Sequence, residues 1–276
     1  MIQDDFRAAV DIGTTKVCTL LARRRSDGRL ELAAFSSIPC AGLRRGQVED
    51  AEAITEAVHA SLTEISAQAG VRIKQAYVGL TGNQVESENR WKKVTQNANV
   101  QTVTEDDISV ALKSAGEFDL DENRRLVHVI PRSYALDGLH GVRNPLGMHA
   151  SQIHIQSHVV TDSIDHMERL NEAVLAAGVT PAHIVANAIA SAEAVLTVDE
   201  REDGVLSIDI GGGTTDIAVF CDGTVMHTSG IPIGGYQFSN DIAIAFDTNY
   251  AEAERLKRSY GTATPELVGM TEEIPI

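Results

Sequence analysis

Hydrophobic positions near the N-terminus form three short runs separated by polar and turn residues. The runs lie at 8–11, 17–23 and 30–36, and Ser26-Asp27-Gly28 supplies a turn before the third run. Short apolar runs bounded by turn residues are typical of β-strands that meet in hairpins. We therefore predict an N-terminal meander of three strands.

The hydrophobic period becomes helical after Asp50, and an apolar face continues to about Ala69, where Gly70 ends it. An N-capping residue before an amphipathic run and a glycine after it are standard helix boundaries. The same criteria predict further helices from Thr104, before Gly178, at 188–196 and at 251–260. Strands are predicted at 75–81, 125–134, 151–161, 184–185, 206–209 and 216–220. Predicted helices and strands thus alternate over much of the chain.

The strand predicted at 151–161 contains two histidines. Ile153 and Ile155 alternate toward the core, which places His154 and His158 on the opposite face. A His-x-x-x-His metal pair requires helical spacing and a third ligand, and neither is evident in this segment. We therefore interpret both histidines as solvated strand residues.

An internal repeat is the most informative feature of the sequence. Ala9-Val10-Asp11-Ile12-Gly13-Thr14-Thr15-Lys16 recurs as Ser207-Ile208-Asp209-Ile210-Gly211-Gly212-Gly213-Thr214-Thr215-Asp216. Glycines let backbone N–H groups approach an anion, and threonine hydroxyls add donors. A carboxylate at the strand end is suited to order the waters around Mg²⁺. The repeat predicts two related domains whose turns hold a triphosphate from both sides, although the first turn alone could equally be a plain hairpin.

Composition excludes several classes of protein. The chain has 23 Lys+Arg against 39 Asp+Glu, a net charge of −16, which disfavours general nucleic-acid binding. The three cysteines, Cys18, Cys40 and Cys221, are too few and too far apart for a disulfide scaffold. Neither a Walker motif nor a GxGxxG helix start is present.

The middle of the chain differs in residue composition from the segments on either side of it. Residues 83–103 are polar and mixed, and a Gly/Asn/Pro loop lies at 138–147. We interpret 83–155 as an inserted α+β subdomain, with 1–82 and 156–200 forming the first domain. The second domain, 201–276, holds far fewer residues than the first, so we expect it to be incomplete.

With these motifs the sequence resembles the FtsA family of bacterial actin-like cell-division proteins. The broad resemblance rests on the glycine turns at 11–16, 209–216 and 233–235. The narrower one rests on His128-Val129-Ile130-Pro131, Asn144-Pro145-Leu146-Gly147-Met148 and segments within 190–197 and 253–261. The resemblance implies two α/β domains of the actin-like, ribonuclease-H-like ATPase fold, with a nucleotide in the cleft between them. The inserted segment 83–155 would be the 1C (SHS2) subdomain, which mediates self-assembly in that family. It would interrupt domain 1A, formed by 1–82 and 156–200, and 201–276 would be domain 2A with the beginning of 2B.

The resemblance also implies ATP and Mg²⁺ as cofactors and a role for each motif. Asp11 and Asp209 would order the magnesium shell. Phosphates would be held by Gly13, Thr14, Thr15 and Lys16 from one side and by Gly211, Gly212, Gly213, Thr214 and Thr215 from the other. Gly234 and Gly235 would face the ribose-phosphate, and Glu254 and Lys257 would line the ribose and base. By spacing alone, Glu254 and Lys257 form a solvated salt bridge.

Hydrolysis is expected to be slow or absent. Many actin-fold ATPases place Glu or Gln before the small-residue helix to orient the attacking water. The corresponding residue here is Asn187, which is shorter and a poor base. Asp216 competes for the same role, so the candidate catalytic residues are Asp209, Asp216 and Asn187.

The resemblance implies a cytoplasmic protein at the inner face of the membrane at the division septum. Such proteins form filaments, bind the C-terminal peptide of the tubulin-like FtsZ and attach to the membrane through a C-terminal amphipathic helix. We expect that helix, and a later glycine loop under the adenine, to lie outside these 276 residues. Apolar side chains meant to be covered, such as Ile242, Ile244 and Phe246, should then be exposed.

Two other functions remain open. A pilus-assembly actin homologue of the PilM type would bind a short peptide of a membrane partner instead of FtsZ. A small-molecule kinase shares the phosphate motifs, but no sugar-binding insertion follows Thr15.

Overall fold

The computed structural model describes residues 6–264, 266 and 268. The strands are β1 (Phe6–Ile12), β2 (Lys16–Arg24), β3 (Leu30–Pro39), β4 (Leu43–Arg44), β5 (Gln47–Val48), β6 (Gln75–Leu80), β7 (Glu86–Thr102), β8 (Arg124–Leu136), β9 (Leu139–Val142), β10 (His149–Ser163), β11 (Thr180–Ala186), β12 (Val205–Ile210), β13 (Thr215–Cys221) and β14 (Thr224–Ile231). The helices are α1 (Ala51–Ala69), α2 (Glu105–Ala115), α3 (Ile164–Ala176), α4 (Asn187–Val195), α5 (Val198–Asp203), α6 (Gly235–Ala245) and α7 (Tyr250–Tyr260).

The first sheet has five strands in the order β11-β6-β1-β2-β3. Strands β1, β2 and β3 are antiparallel neighbours, which confirms the predicted meander, and β6 and β11 extend the sheet in parallel. Helices α1 and α3 cover one face and complete a core that includes Val10, Val17, Val58 and Val174. The other face of β1 presents Asp11 to the cleft.

Helix α1 has the boundaries that its sequence predicts. The Asp50 side chain accepts a hydrogen bond from the backbone N–H of Ala53, and Gly70 adopts the left-handed conformation at the other end. The apolar face is buried, with Ile54 and Ile65 inaccessible to solvent. This helix therefore packs against β2 and β3 of the first sheet and closes its core.

The second sheet belongs to the insertion and has the order β7-β10-β8-β9. Helix α2, started by the predicted Thr104–Asp107 capping box, packs on it around Ala111 and Ile155. Strand β10 continues through residue 155, the predicted end of the insertion, to Ser163. The position of the domain boundary itself stays a prediction.

The third sheet is smaller than the first and begins with the same antiparallel arrangement of three strands. Its order is β12-β13-β14, and the β12–β13 hairpin corresponds to β1–β2. In each hairpin a glycine N–H donates to the carbonyl three residues later, Gly13 to Lys16 at 2.9 Å and Gly211 to Thr214 at 2.8 Å. The two turns therefore share a geometry as well as a sequence.

The interpretation of His158 as solvated is wrong. Its side chain is completely buried, because β14 of the third sheet lies against β7 and β10 of the insertion. The histidine ring bridges Asn89 Oδ1 at 2.9 Å and Thr228 Oγ1 at 2.8 Å across that junction. His154 is only partly exposed.

Apolar side chains remain uncovered on the third sheet and on α6. Ile208 and Ile210 of β12 are more than half exposed, as are Ile244 and Phe246, while Ile242 is half-buried. The predicted exposure near the end of the chain is thus confirmed for Ile244 and Phe246. Within the described residues, no helix is long and apolar enough to cross a membrane.

Candidate functional site

The two glycine turns of the repeat face each other across the cleft between the first and third sheets. A Cβ atom added to Gly213 would lie 2.6 Å from Thr14 Oγ1, and one added to Gly212 would lie 2.7 Å from Thr15 Cγ2. Only glycine fits such an approach without displacing its neighbours. The structure therefore brings together the two motifs that the sequence places 198 positions apart, counted from Asp11 to Asp209.

Helix α4 links two of the carboxylates at this site. Asn187 Nδ2 donates to Asp11 Oδ1 at 2.9 Å, and Ser191 Oγ donates to Asp209 Oδ2 at 2.6 Å. Because Asn187 and Ser191 are four residues apart, both lie on one face of the helix. One short helix thus orients an aspartate from each repeat.

Asp216 is held by a third neutral donor. Thr81 Oγ1, directly after β6, donates to Asp216 Oδ2 at 2.6 Å and lies 3.0 Å from Thr214 Oγ1. The Thr215 hydroxyl donates instead to the carbonyl of Ile233 at 2.8 Å. The hydroxyls of Thr214 and Thr215 are therefore engaged within the protein.

Burial and neighbouring carboxylates raise the pKa of Asp11 and of Asp216. The walls of the cleft desolvate Asp11 and raise its pKa; the Asn187 bond opposes this, while the nearby charge of Asp209 adds to it. Burial raises the pKa of Asp216 to about 6, with the charges of Asp209 and Asp11 contributing. A bound cation would relieve this repulsion. Hard oxygen donors of this kind suit Mg²⁺.

The donors fit a hydrated cation better than one held wholly by protein. No group of three or more His, Cys, Asp or Glu side chains in the described ranges is arranged to hold a metal ion. Mg²⁺ keeps several waters in most protein sites and uses one or two carboxylates. Asp11 and Asp209 fit that mode, each already oriented by a neutral side chain.

The third glycine turn supports the second one. The N–H of Gly235 donates to Gly211 O at 2.9 Å, and that of Tyr236 to Gly212 O at 2.7 Å. A Cβ atom on Gly234 would lie 2.6 Å from the same Gly211 oxygen. The third turn therefore packs against the 211–213 loop and holds it in place. Its expected contact with ribose-phosphate stays a prediction.

Glu254 and Lys257 form the salt bridge that their spacing predicts. Lys257 Nζ lies 2.6 Å from Glu254 Oε2 and donates to Gly235 O at 3.0 Å, and Ser239 Oγ donates to the same carboxylate. Partial burial favours a higher pKa for Glu254, but the bonds from Lys257 and Ser239 outweigh it and lower the pKa. The pair is about two-thirds covered and joins α7 to the start of α6. Its contact with ribose and base is a prediction.

A cavity of about 580 Å³ opens directly beside the facing turns. Its wall includes Thr14 and Gly213 from the turns, and the rings of Tyr236 and Tyr250, which stack with centroids 4.7 Å apart. The wall of the cavity also includes Thr15, Leu43, Arg44, Arg45 and Glu49.

Sequence reasoning missed the neutral donors Thr81 and Ser191. Thr81 ends a predicted strand, a position where functional side chains collect in α/β sheets, so that signal was available. Ser191 carries no such signal, because its role depends on the placement of α4 between the two repeats.

Comparison with known proteins agrees with this architecture. The family described as "Cell division protein FtsA" matches residues 206–276, and "SHS2 domain inserted in FTSA" matches 82–161. The chain is 37% identical to the cell division protein FtsA of Pseudomonas aeruginosa over 97% of its own length and 64% of that protein. It is 32% identical to FtsA of Escherichia coli, over 97% and 63% of the respective lengths. The chain thus spans a little under two thirds of these relatives.

Solved structures show the same fold at low identity. The PilM-PilN type IV pilus biogenesis complex superposes with a TM-score of 0.66, at 18% identity, over 92% of this chain and 70% of the matched one. The ethanolamine utilization protein EutJ of Carboxydothermus hydrogenoformans gives a TM-score of 0.54 at 16% identity, over 92% and 62%.

The fold and the facing glycine turns define a protein of the actin-like ATPase fold with an inserted SHS2 subdomain, as predicted. Within that class, the matches over nearly the whole chain settle the family. The chain belongs to the FtsA family of cell division proteins.

Proposed function

We propose that this chain is the nucleotide-binding part of an actin-like cell-division protein. It binds ATP with Mg²⁺, assembles into filaments and links the FtsZ ring to the cytoplasmic membrane at the septum. One observation carries the nucleotide site: two glycine turns face each other, flanked by three aspartates that each accept a bond from a neutral side chain.

In this proposal the phosphates lie between the turns. Backbone N–H groups within 13–16 and 211–215, other than those of Gly13 and Gly211 that close the turns, bind phosphate oxygens. Lys16, exposed beside Asp11, adds a positive charge. Asp11 and Asp209 hold waters of the Mg²⁺ shell. When bound, the metal neutralises charge on the phosphate oxygens.

Hydrolysis should be slow because the side chains that could activate water near the phosphates are already engaged within the protein. The Asn187 amide has no titratable proton acceptor and already donates to Asp11. Asp216 is buried, with a pKa of about 6, but one of its oxygens is occupied by Thr81. We expect turnover far below one per second, which suits a switch that assembles on nucleotide binding. Brisk phosphate release by the purified chain would refute this part.

The assembly role is supported by the family relationship. The insertion matches the SHS2 segment, which we propose as the filament contact, and the FtsZ C-terminal peptide as the partner of the whole protein. The PilM likeness keeps a pilus-assembly role as the second candidate, but at 18% identity it concerns the fold alone. Co-sedimentation of the chain with FtsZ filaments, against a control without FtsZ, separates the two.

Isothermal titration with Mg-ATP tests the nucleotide site. We expect micromolar or tighter binding that is lost in Asp209→Ala, which removes a magnesium-shell carboxylate. Asp106→Ala, an exposed position on α2, is the matched control and should bind as the parent does. Absence of saturable binding by the parent chain would contradict the proposal.

A further inference from the structure

We propose that Arg45 binds the terminal phosphate of the nucleotide and makes the site prefer a triphosphate over a diphosphate. The inference rests on the nucleotide binding proposed above. It assigns a specificity role to a residue outside the three glycine turns.

Arg45 occupies an uncommon backbone conformation. It lies in the two-residue turn between β4 and β5 with φ 50°, and the next residue, Gly46, has φ 81°. Two successive left-handed residues are the signature of a type I′ hairpin turn, in which non-glycine residues are disfavoured. The flanking Leu43 and Val48 are buried in the core. They hold the turn, and with it the start of the Arg45 side chain, in one position.

The segment 40–48, which contains the hairpin, contacts both glycine turns. A Cβ atom on Gly46 would lie 2.5 Å from Gly82 Cα and 3.0 Å from Thr214 Cγ2, so the turn packs against the base of the second glycine loop. On the other side, the N–H of Cys40 donates to Thr15 O at 3.0 Å. Arg45 is therefore carried by a segment that is fixed to the first and the second turn at once.

Arg45 lines the cavity that extends from the facing turns. Thr14, Thr15 and Gly213 line the same space. If the turns hold the inner phosphates of the nucleotide, this space remains for its terminal phosphate. The cavity of about 580 Å³ has room for it.

The two neighbouring arginines differ in their partners. Arg44 lies 3.6 Å from Glu49, whereas Arg45 makes no hydrogen bond or ion pair with any residue that the structure describes. The chain carries a net charge of −16, yet no described carboxylate pairs with this guanidinium. An anionic ligand supplies the missing partner, and the planar guanidinium fork matches two phosphate oxygens.

Titration calorimetry with Mg-ATP and Mg-ADP tests the assignment in the full chain. Losing a charge-assisted hydrogen bond should make Arg45→Ala bind ATP about tenfold or more weakly, with ADP affinity within about twofold of the parent. Arg45→Lys keeps the charge without the fork and should fall between. Arg44→Ala should lose less ATP affinity than Arg45→Ala, because its side chain already has a partner. Arg29→Ala, an exposed residue of the β2–β3 turn, serves as the neutral control.

The outcomes separate the two proposals. If Arg45→Ala weakens ATP and ADP equally, or neither, while the parent binds both, the role of Arg45 is refuted and nucleotide binding stands. If the parent binds neither nucleotide, the proposed function fails and the role of Arg45 fails with it. A thermal melt of each variant without ligand checks the fold, since alanine can occupy the same backbone conformation as arginine.

Discussion

The hydroxyl of Thr81 donates a hydrogen bond to the carboxylate of Asp216, with 2.6 Å between Oγ1 and Oδ2. Thr81 follows β6 of the first sheet and Asp216 lies in β13 of the third, so this bond spans the cleft beside the glycine turns. Both side chains are buried. The bond stabilises the charged form of Asp216 against the burial that raises its pKa.

Thr81→Val should therefore raise the pKa of Asp216 further above its present value of about 6. Valine keeps the shape of threonine and removes the donor. The titration of the Asp216 carboxyl carbon, followed by NMR, measures the shift directly. Thr81→Ser retains the hydroxyl and should leave the midpoint close to that of the parent; a midpoint unchanged in the valine variant would contradict the assignment.

His158 should make the fold sensitive to acid. Burial lowers its pKa to about 4, with the positive charge of Arg132 contributing, so the ring is neutral when folded. The contribution of neutral, buried His158 to the free energy of unfolding is fully present above the unfolded pKa near 6.5. It is lost as the pH falls toward 4, because protonation then favours the unfolded chain. The contribution of Asp216 to stability changes with pH in the opposite direction over part of this range. Its folded pKa is raised, so protonation favours the folded state.

Urea unfolding at several pH values checks the histidine effect. His158→Gln should lose about 1–3 kcal/mol at pH 7 from imperfectly replaced buried hydrogen bonds. It should also lose less stability than the parent between pH 6.5 and 4.5, because glutamine does not titrate. The exposed His140→Gln is the control and should follow the parent curve. Parallel curves for all three proteins would show that His158 does not titrate as stated.

Gly213→Ala should remove the thermal stabilisation caused by Mg-ATP. The added methyl group would meet Thr14 Oγ1 at 2.6 Å and Cγ2 at 2.9 Å, which forces the facing turns apart. A melting-temperature shift measured with and without nucleotide reports the loss. Gly116→Ala is the matched control, since its methyl group would have only ordinary contacts at 3.5 Å or more and its backbone is helical. A full ligand shift in Gly213→Ala would disprove the close approach.

The isolated chain should self-associate through its uncovered apolar side chains. Leu206 and Ile208 of β12 are 54% and 52% exposed on one face of the third sheet, whose outer edge has no neighbouring strand in the described residues. Ile208→Thr keeps the β-propensity and removes apolar surface. Sedimentation velocity should show less association than in the parent. A parent chain that sediments as a single monomer at high concentration would count against the prediction.

Local patterns predicted local structure well, because their physical causes are local. Asp50 and Gly70 bound α1 through a cap and a left-handed residue, and both signals are visible in the sequence. Helices α5 and α6 were not predicted. Six residues between Val198 and Asp203 are too few for a hydrophobic period, and α6 begins without a side-chain cap. His158 was misplaced because its burial depends on a sheet that lies 70 residues further along the chain.

The sequence by itself determined the two glycine turns, their aspartates and the family to which the chain belongs. Backbone freedom at glycine and alternation along a strand are properties of short segments, so both can be recognised without knowledge of the rest of the chain. Only the tertiary structure decided which neutral group holds each aspartate. Thr81 meets Asp216, Ser191 meets Asp209 and Asn187 meets Asp11 because two sheets and one helix pack in one arrangement. The guanidinium of Arg45, which is unpaired among the residues that the structure describes, likewise reaches the cavity beside the glycine turns only through packing. Nothing in the local sequence relates 43–48 to those turns.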